Sequence, residues 1–320
     1  MMASRRALTM NDLARLAGVS VSTVSRSLAG HSTINPATRD RVNTIARQHG
    51  YQPNLLARNL RLQRTDAVAV IAAMPGPVDS ASLSLVGHLA DALSTAGYDM
   101  LLRRVERQDE GWLDRIVVSG RVDGVIALGQ PSAEAIERVA ADYAPLVLWG
   151  EPPGGTVTSI GPDDVLGGAL ATRHLLEHGC RRLLFVGDRA VTRVARAEAG
   201  FRNACDAAGL GASARSVAAD PSAIRAAIGA VDGIVAASDR VAIAAIGTLA
   251  AAGRRVPDDV LVVGHGDTPL AEHGVPSLTT IGIDLSRGAQ LLVERLVARI
   301  AGTATASYSV PPRLIVRESA

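Results

Sequence analysis

Apolar positions follow two different patterns along this chain of 320 residues. Before Tyr51 they recur at helical spacing within short segments, and from Asp66 onward wholly apolar runs alternate with longer helical stretches. Spacing near 3.6 residues predicts amphipathic helices, and uninterrupted apolar runs between helices predict parallel strands that are covered on both faces. The pattern therefore predicts a small all-α head followed by a larger α/β body.

The body reads as two similar lobes. The apolar runs predicted as strands are 68–73, 99–105, 124–129, 146–150, 183–188, 233–238, 260–267 and 279–284. Helical stretches such as 84–98, 164–179 and 240–253 lie between them. The alternation of strands and helices begins again after a polar stretch at 150–164. Two doubly wound lobes would leave a cleft outside the carboxyl ends of their strands, where small ligands bind.

The head contains a predicted helix-turn-helix at 10–27. Thr9 and Ser20 are suitable N-cap residues, and Gly18 can adopt the positive φ that ends the first helix. The apolar face of the first helix is expected to consist of Leu13, Leu16 and Ala17. A tight turn, a supporting helix and a second helix that can enter the major groove are the parts of a DNA-reading module, although other two-helix corners share them.

The outward face of the second helix carries small, hydrogen-bonding or basic side chains, as contact with base edges requires. The residues expected there are Val21, Ser22, Thr23, Ser25 and Arg26. Asn35 followed by Pro36 predicts the start of a third helix that closes the head. Beyond it, residues 53–65 predict a short basic helix with exposed leucines, which suits a hinge that pairs with a second copy and wedges a leucine into the minor groove.

Charge divides the chain at the same place. Residues 1–65 contain ten arginines and two aspartates, a net charge of +8, whereas the remainder holds 23 basic and 29 acidic residues, a net charge of −6. A basic head on an acidic body is typical of a nucleic-acid-binding module joined to another domain. No apolar run approaches the ~18–20 residues of a membrane helix. The N-terminus lacks an apolar signal core, and Cys180 and Cys205 suit a reducing compartment, so we expect a cytoplasmic protein with no membrane partner.

Three segments, 14–30, 35–42 and 51–60, occur in an order and at separations that resemble the LacI/GalR family of bacterial transcriptional repressors. Further segments of the body extend the resemblance over essentially the whole chain. It implies a helix-turn-helix domain at 1–52, a hinge helix and linker at 53–65, and a two-lobed, periplasmic-binding-protein-like effector domain at 66–320. The lobe boundaries it implies are about 66–158 and 287–303 for the first lobe, and about 162–285 and 306–320 for the second.

The same resemblance implies the partners. They are a pseudo-palindromic double-stranded DNA operator, a second copy of the chain in a homodimer, and a small-molecule effector, a sugar, in the cleft. It assigns base reading to Val21, Ser22 and Arg26 and the minor-groove wedge to Leu60. The remaining residues expected to contact DNA are Thr23, Ser25, Asn54 and Arg58.

The effector pocket departs from the family pattern at three positions. Ala197 stands where an arginine is common, Gly266 where an aspartate is common, and Gly150, directly after Trp149, at a third position that is otherwise polar. The candidates that remain for contact with the effector are Trp149, Arg193, Arg196, Asp239 and Asp267. Each also has a structural alternative, since the aspartates can cap helices, the arginines can lie at the surface and the tryptophan can belong to the core.

These observations predict a repressor of a carbohydrate-utilisation operon whose operator affinity changes when a sugar binds. Induction, corepression and regulation without a ligand all stay open. No catalytic set, cofactor motif or metal-ligand spacing is present, and His174 and His178 lie on an ordinary helix, so we expect no enzyme activity, cofactor or metal. The alternative from another class is an enzyme acting on a sugar or nucleoside with a DNA-binding head, which would need a base or nucleophile in the cleft.

Overall fold

A computed structural model describes residues 8–51, 64–73, 80–105, 120–129, 145–151 and 157–320. The chain forms two compact units, Met1–Thr65 and Asp66–Ala320. The expected hinge helix, with Asn54, Arg58 and Leu60, lies outside the described residues.

The first unit contains a three-helix head. Its helices are α1 (Met10–Ala17), α2 (Val21–Leu28) and α3 (Pro36–Gln48). Thr9 and Asp12 form a capping box, in which each side chain accepts a hydrogen bond from the backbone N–H of the other residue. Gly18 has a φ of 63°, and its freedom to adopt this angle allows the turn between α1 and α2.

The prediction for the buried face of α1 is wrong at one residue. Leu16 is 49% exposed, whereas Ala14 is buried beside Leu13 and Ala17. The buried arc of the helix is centred between Leu13 and Ala14, and Leu16 lies roughly 110° away from that centre at 100° per residue. The core of the head is completed by Val24, Val42 and Ala46.

The described residues of the second unit form two six-stranded sheets. The first has the order β11-β5-β4-β3-β1-β2 and the second has the order β12-β10-β9-β8-β6-β7. The strands are β1 (Ala67–Ala73), β2 (Asp99–Arg104), β3 (Gly124–Gly129), β4 (Leu146–Trp149), β5 (Ser159–Pro162), β6 (Leu183–Val186), β7 (Arg215–Val217), β8 (Gly233–Ala236), β9 (Leu261–His265), β10 (Thr279–Gly282), β11 (Tyr308–Val310) and β12 (Arg313–Ile315). Described neighbours pair in parallel, except for β10 with β12.

Helices pack on both sheets. The described helices are α4 (Ser80–Thr95), α5 (Asp164–Glu177), α6 (Thr192–Ala207), α7 (Pro221–Ala227), α8 (Asp239–Ala251), α9 (Pro269–His273) and α10 (Leu285–Ile300). Helices α4 and α10 bury Leu89 and Leu292 in the core of the first lobe. In the second lobe, Leu175 of α5 and Phe201 of α6 lie in one core cluster, and Leu249 of α8 lies in another.

The eight apolar runs predicted as strands are strands in the structure, and four further strands escaped prediction. Strands β5, β7, β11 and β12 have only three or four residues, and three of them lie at sheet edges. Strands this short have no room for a recognisable pattern, and their pairing is decided by the neighbouring strand.

The lobe boundaries need correction. Among the described elements the chain passes between the sheets after β5, after β10 and after β11. Tyr308 pairs with Ile160 and Val310 with Pro162, so residues 308–310 belong to the first lobe and not to the second. The first crossing follows Pro162 instead of lying near 160, because β5 pairs with β4 in the first sheet. The last crossing follows Val310 instead of lying near 305, because β11 pairs in parallel with β5 in the same sheet.

Candidate DNA-reading helix and inter-lobe cleft

Helix α2 presents one face of the head to solvent. Val21 is 39% exposed, and Ser22 and Arg26 are exposed beside it, whereas Val24 and Ser27 are buried on the opposite face. Exposed side chains on one face of the second helix are what a recognition helix needs to approach base edges.

The start of α2 is fixed by a small hydroxyl cluster. The Ser20 Oγ accepts a hydrogen bond of 3.1 Å from the backbone N–H of Thr23 and lies 2.8 Å from the Thr23 Oγ1. It also lies 2.9 Å from the Ser22 Oγ. Thr23 and Ser25 are half-buried, so the structure places them at the border of the exposed face. Val21, Ser22 and Arg26 are therefore the most accessible of the expected DNA-contact residues on α2.

In the second unit, charged side chains collect where the two lobes meet. Arg196 of α6 forms an ion pair with Glu151, which follows β4 of the first lobe. This contact joins the lobes across the carboxyl ends of their strands, where a doubly wound fold binds small ligands. Arg193 lies one turn earlier on α6 and is half-buried. The structure thus brings both expected arginines to the cleft.

Asp164, the first residue of α5, is the acidic centre of this region. Its side chain is 7% exposed, and burial raises the pKa of its carboxyl from 3.8 to about 6, while Arg193 and Arg196 oppose the rise. Asp163 and Glu151 add to the rise by like-charge repulsion. Arg193 and Arg196 belong to α6 and Glu151 follows β4, so the charges that act on the Asp164 carboxyl come from both lobes.

His265, at the end of β9, lies against the same carboxyl. Its Nε2 is 3.9 Å from the Asp164 Oδ1, too far for a direct hydrogen bond. Its ring packs against α5, because a Cβ on Gly167 would lie 3.0 Å from the His265 Cε1. Burial, aided by the Arg193 charge, lowers the pKa of His265 to about 3, so the imidazole is neutral at physiological pH.

Helices α5 and α6 hold these groups in place through unusually close packing. A Cβ on Gly168 would lie 1.9 Å from the backbone oxygen of Ala197, and a Cβ on Gly200 would lie 1.9 Å from that of Val165. Only glycine allows the two backbones to approach so closely. The packing therefore sets the distance between Asp164 on α5 and the arginines of α6.

Trp149 occupies the rim of the first lobe. Its indole is half-buried and packs on α10, since a Cβ on Gly288 would lie 2.7 Å from the Trp149 Cζ3. The side chain also touches the core cluster of that lobe. One face of the indole therefore packs on the core. Trp149 precedes Glu151 by two residues, so it also lies at the border of the cleft.

The two remaining effector candidates make internal contacts. Asp239 is 1% exposed and accepts hydrogen bonds of 2.7 Å and 2.8 Å from the N–H and Oγ1 of Thr268, and one of 2.5 Å from the Thr280 Oγ1. Asp267 has a φ of 49° and forms an ion pair of 2.7 Å with Arg317. Asp239 thus holds the loop after β9, and Asp267 holds the C-terminal segment through Arg317. The structure does not group these two carboxylates with Arg193 and Arg196.

The reasoning from sequence missed Glu151 and Asp164 as site residues, and one signal pointed to the second. Asp163 is the N-cap of α5 and accepts a hydrogen bond of 3.0 Å from the backbone N–H of Leu166. A helix needs only one such cap, so the second carboxylate of an Asp-Asp pair is free for another role. Nothing in the sequence singles out Glu151.

Three further observations concern metal ligands, thiols and membrane-spanning helices among the described residues. Within the described ranges, no three or more histidine, cysteine or acidic side chains are grouped so that they could hold a metal ion. Burial raises the pKa of the Cys180 and Cys205 thiols to about 11, which leaves both protonated and unreactive. None of the helices in the described part of the chain is both long and apolar enough to span a membrane.

Comparison with known proteins relates both units to one family. The model for bacterial regulatory proteins of the lacI family matches residues 9–54, and that for a periplasmic binding protein-like domain matches residues 172–320. The transcriptional regulator CelR of Thermobifida fusca is 32% identical over 99% of this chain and 100% of its own length. The ribose operon repressor of Escherichia coli K12 is 29% identical over 91% of this chain and 93% of its own length.

Solved structures agree. A CelR–cellobiose complex is 30% identical with a TM-score of 0.72, and covers 98% of this chain and 99% of its own. The lac repressor dimer bound to operator is 22% identical with a TM-score of 0.85 over 98% of this chain and 99% of its own, and it supports the fold. The exposed recognition helix, the two-lobed body and these similarities together show that the chain belongs to the LacI family of DNA-binding transcriptional regulators.

Proposed function

We propose that this regulator represses a carbohydrate-utilisation operon and that a sugar in the inter-lobe cleft releases it from its operator. The observation that carries the proposal is the group of hydrogen-bonding charges at the cleft, above all Arg193, Arg196 and Asp164. Relatives support the sugar, since one is a ribose operon repressor and another forms a complex with cellobiose. Guanidinium and carboxylate groups are suited to binding vicinal hydroxyls.

Operator reading is assigned to the exposed face of α2. The Val21 side chain suits a thymine methyl, and the Ser22 hydroxyl and Arg26 guanidinium suit base-edge acceptors. Thr23 and Ser25 complete the DNA-facing set at the border of this face. The proposal extends to Asn54, Arg58 and Leu60, with Leu60 as the minor-groove wedge.

The regulator acts as a homodimer on a pseudo-palindromic site. In the first lobe, β2 is an edge strand whose Leu101 and Leu102 are 46% and 52% exposed, and Leu83 of α4 is 60% exposed. An open edge with adjacent leucines is a liability for a single chain and suits pairing with a second copy. Two copies would supply two recognition helices for two half-sites.

The coupling between the sites is a difference in sugar affinity between two arrangements of the lobes. Arg196 and Glu151 lie on opposite lobes and pair directly, so a sugar that contacts either one changes the free energy of that arrangement. A typical coupling free energy of ~1–3 kcal/mol would lower operator affinity about 5-fold to 150-fold.

The test is gel-shift analysis of the upstream DNA of the regulated genes, with neutral mono- and disaccharides added at fixed salt. We expect one sugar to release sequence-specific binding. Specific binding that no sugar changes would refute the sugar effector and leave DNA binding intact. Equal, strongly salt-dependent binding to every duplex would refute operator recognition itself.

A further inference from the structure

The buried pair Asp164 and His265 has unused hydrogen-bonding atoms. Among the residues that the structure describes, neither the Asp164 Oδ1 nor the His265 Nε2 has a hydrogen-bond partner. Both side chains are more than nine-tenths buried, with exposures of 7% and 5%. Leaving a buried acceptor or donor unpaired costs about 1–3 kcal/mol, so two such atoms side by side point to a missing third group.

The spacing of the two atoms defines that group. They are 3.9 Å apart and closed off from solvent, so an oxygen that enters between them, moving their neighbours aside, could lie about 2.8 Å from each, within the normal range for hydrogen bonds. The group must donate to an acceptor-only carboxylate and also bond to a neutral imidazole. A hydroxyl does both, because it carries one donor and two acceptor lone pairs.

The charges around the pair select against an anion. Arg196 is already paired with Glu151, whereas the charge of Arg193 acts on both Asp164 and His265. A carboxylate or phosphate on the ligand would gain from Arg193 but would be repelled by Asp164 and Glu151. A neutral ligand is neither repelled by these carboxylates nor drawn away from them by Arg193.

We propose that Asp164 and His265 form a specificity subsite that binds one hydroxyl of a neutral sugar and rejects anionic sugars. This inference rests on the proposed function, since it names the ligand class and the reading residues of the same cleft. Arg193 acts electrostatically on both members of the pair and adds a positive charge to the surroundings of the subsite. The subsite compensates for the apolar Ala197 and Gly266, which supply no side-chain hydrogen bond to a ligand.

The test measures direct sugar binding to the full-length protein by calorimetry at pH 7.5, without DNA. Cellobiose, ribose and glucose are compared with glucuronate and glucose 6-phosphate. We expect a neutral sugar to bind at least tenfold more tightly than the anionic sugars. For that sugar, Asp164→Asn and His265→Phe should each weaken binding about tenfold or more, which corresponds to about 1.4 kcal/mol.

Two matched controls separate the subsite from general damage. Asp163→Asn removes the same charge one residue away and keeps a good N-cap. His174→Phe changes another histidine of the second lobe that is buried and has an unpartnered Nε2 among the described residues. Both controls should bind the sugar within twofold of wild type.

A set of monodeoxy sugars makes the test independent of any variant. On the wild type, removal of one hydroxyl should weaken binding about tenfold, and the same removal should cost Asp164→Asn less than twofold. A wild type that prefers the anionic sugars, or variants that bind like their controls, would overturn the subsite while the sugar effector stands. A wild type that binds none of the neutral sugars would overturn both proposals.

Discussion

The surroundings of two buried carboxylates in the second lobe shift their pKa values in opposite directions. Burial raises the pKa of Asp164 to about 6. Burial also opposes ionisation of Glu198, but hydrogen bonds from Arg189, Ser216 and Arg202 outweigh it and lower the pKa of Glu198 to about 2. The first carboxylate therefore costs stability when charged, and the second contributes stability when charged.

Glu198→Gln should lower the melting temperature at pH 7 by about 3–6 °C, at roughly 2–4 °C per kcal/mol. The folded-state pKa is depressed from 4.5, so the contribution is complete above pH 4.5 and disappears as the pH falls toward 2. Differential scanning calorimetry from pH 7 to pH 3 would show the gap between variant and wild type closing. Glu177→Gln, on the exposed side of α5, is the control and should melt like wild type. A gap independent of pH would contradict the assignment.

Asp164→Asn should raise the melting temperature at pH 7.5 by about 2–6 °C, again at roughly 2–4 °C per kcal/mol. The folded-state pKa is raised above 3.8, so the wild type loses stability as the pH rises from 3.8 to 6. The groups that surround this carboxyl are Arg193, Arg196, Glu151, Asp163 and His265. Melting curves at pH 5 and pH 7.5 should show the gain shrinking at the lower pH, and Asp163→Asn should show no such gain. A variant less stable than wild type at pH 7.5 would contradict a buried, costly charge.

At this scale the sequence predicted positions better than roles. The rule that ligands bind at strand carboxyl ends led to Asp239 and Asp267. It does not say which way a side chain turns, and Asp239 turns inward because Thr268 and Thr280 donate hydrogen bonds to it. Those donors come from segments far apart in sequence, so no local pattern reveals them.

At the scale of elements, the close approach of α5 and α6 positions the charged cluster. Gly200→Ala would place a Cβ 1.9 Å from the Val165 oxygen, and the helices would have to separate. We expect a loss of about 1–3 kcal/mol in the free energy of unfolding, as in other overpacked cores, and weaker sugar binding. Urea denaturation and calorimetry measure the two effects.

The matched control for that change is Gly247→Ala. Gly247 lies on the exposed side of α8, and no atom lies within 4 Å of the place that a Cβ would take, so alanine should gain roughly 0.5–1 kcal/mol from helix propensity. Equal effects of the two substitutions would contradict the packing argument. The contact between α5 and α6 itself could not be foreseen, because glycine at a helix crossing looks in sequence like any other helical glycine.

At the scale of the whole molecule, the exposed leucines of the first lobe predict self-association. Leu102→Asp would place a charge on the open edge strand and should convert a dimer into a monomer at micromolar concentration. Analytical ultracentrifugation would show the change. The control is Leu270→Asp, which introduces the same charge at an exposed leucine of the second lobe and should leave the dimer intact. A wild-type protein that sediments as a monomer would contradict the homodimer.

The most direct test of the account is fluorescence anisotropy of the purified protein on its own upstream DNA at fixed salt, with and without the neutral sugars. Tight, sequence-specific binding that one sugar releases is the predicted result, and Arg26→Ala should weaken that binding about tenfold or more. Arg15→Ala removes an equal charge from the exposed side of α1 and should weaken all duplexes alike. Equal affinity for every duplex, with no change on adding any sugar, would contradict a sugar-controlled repressor.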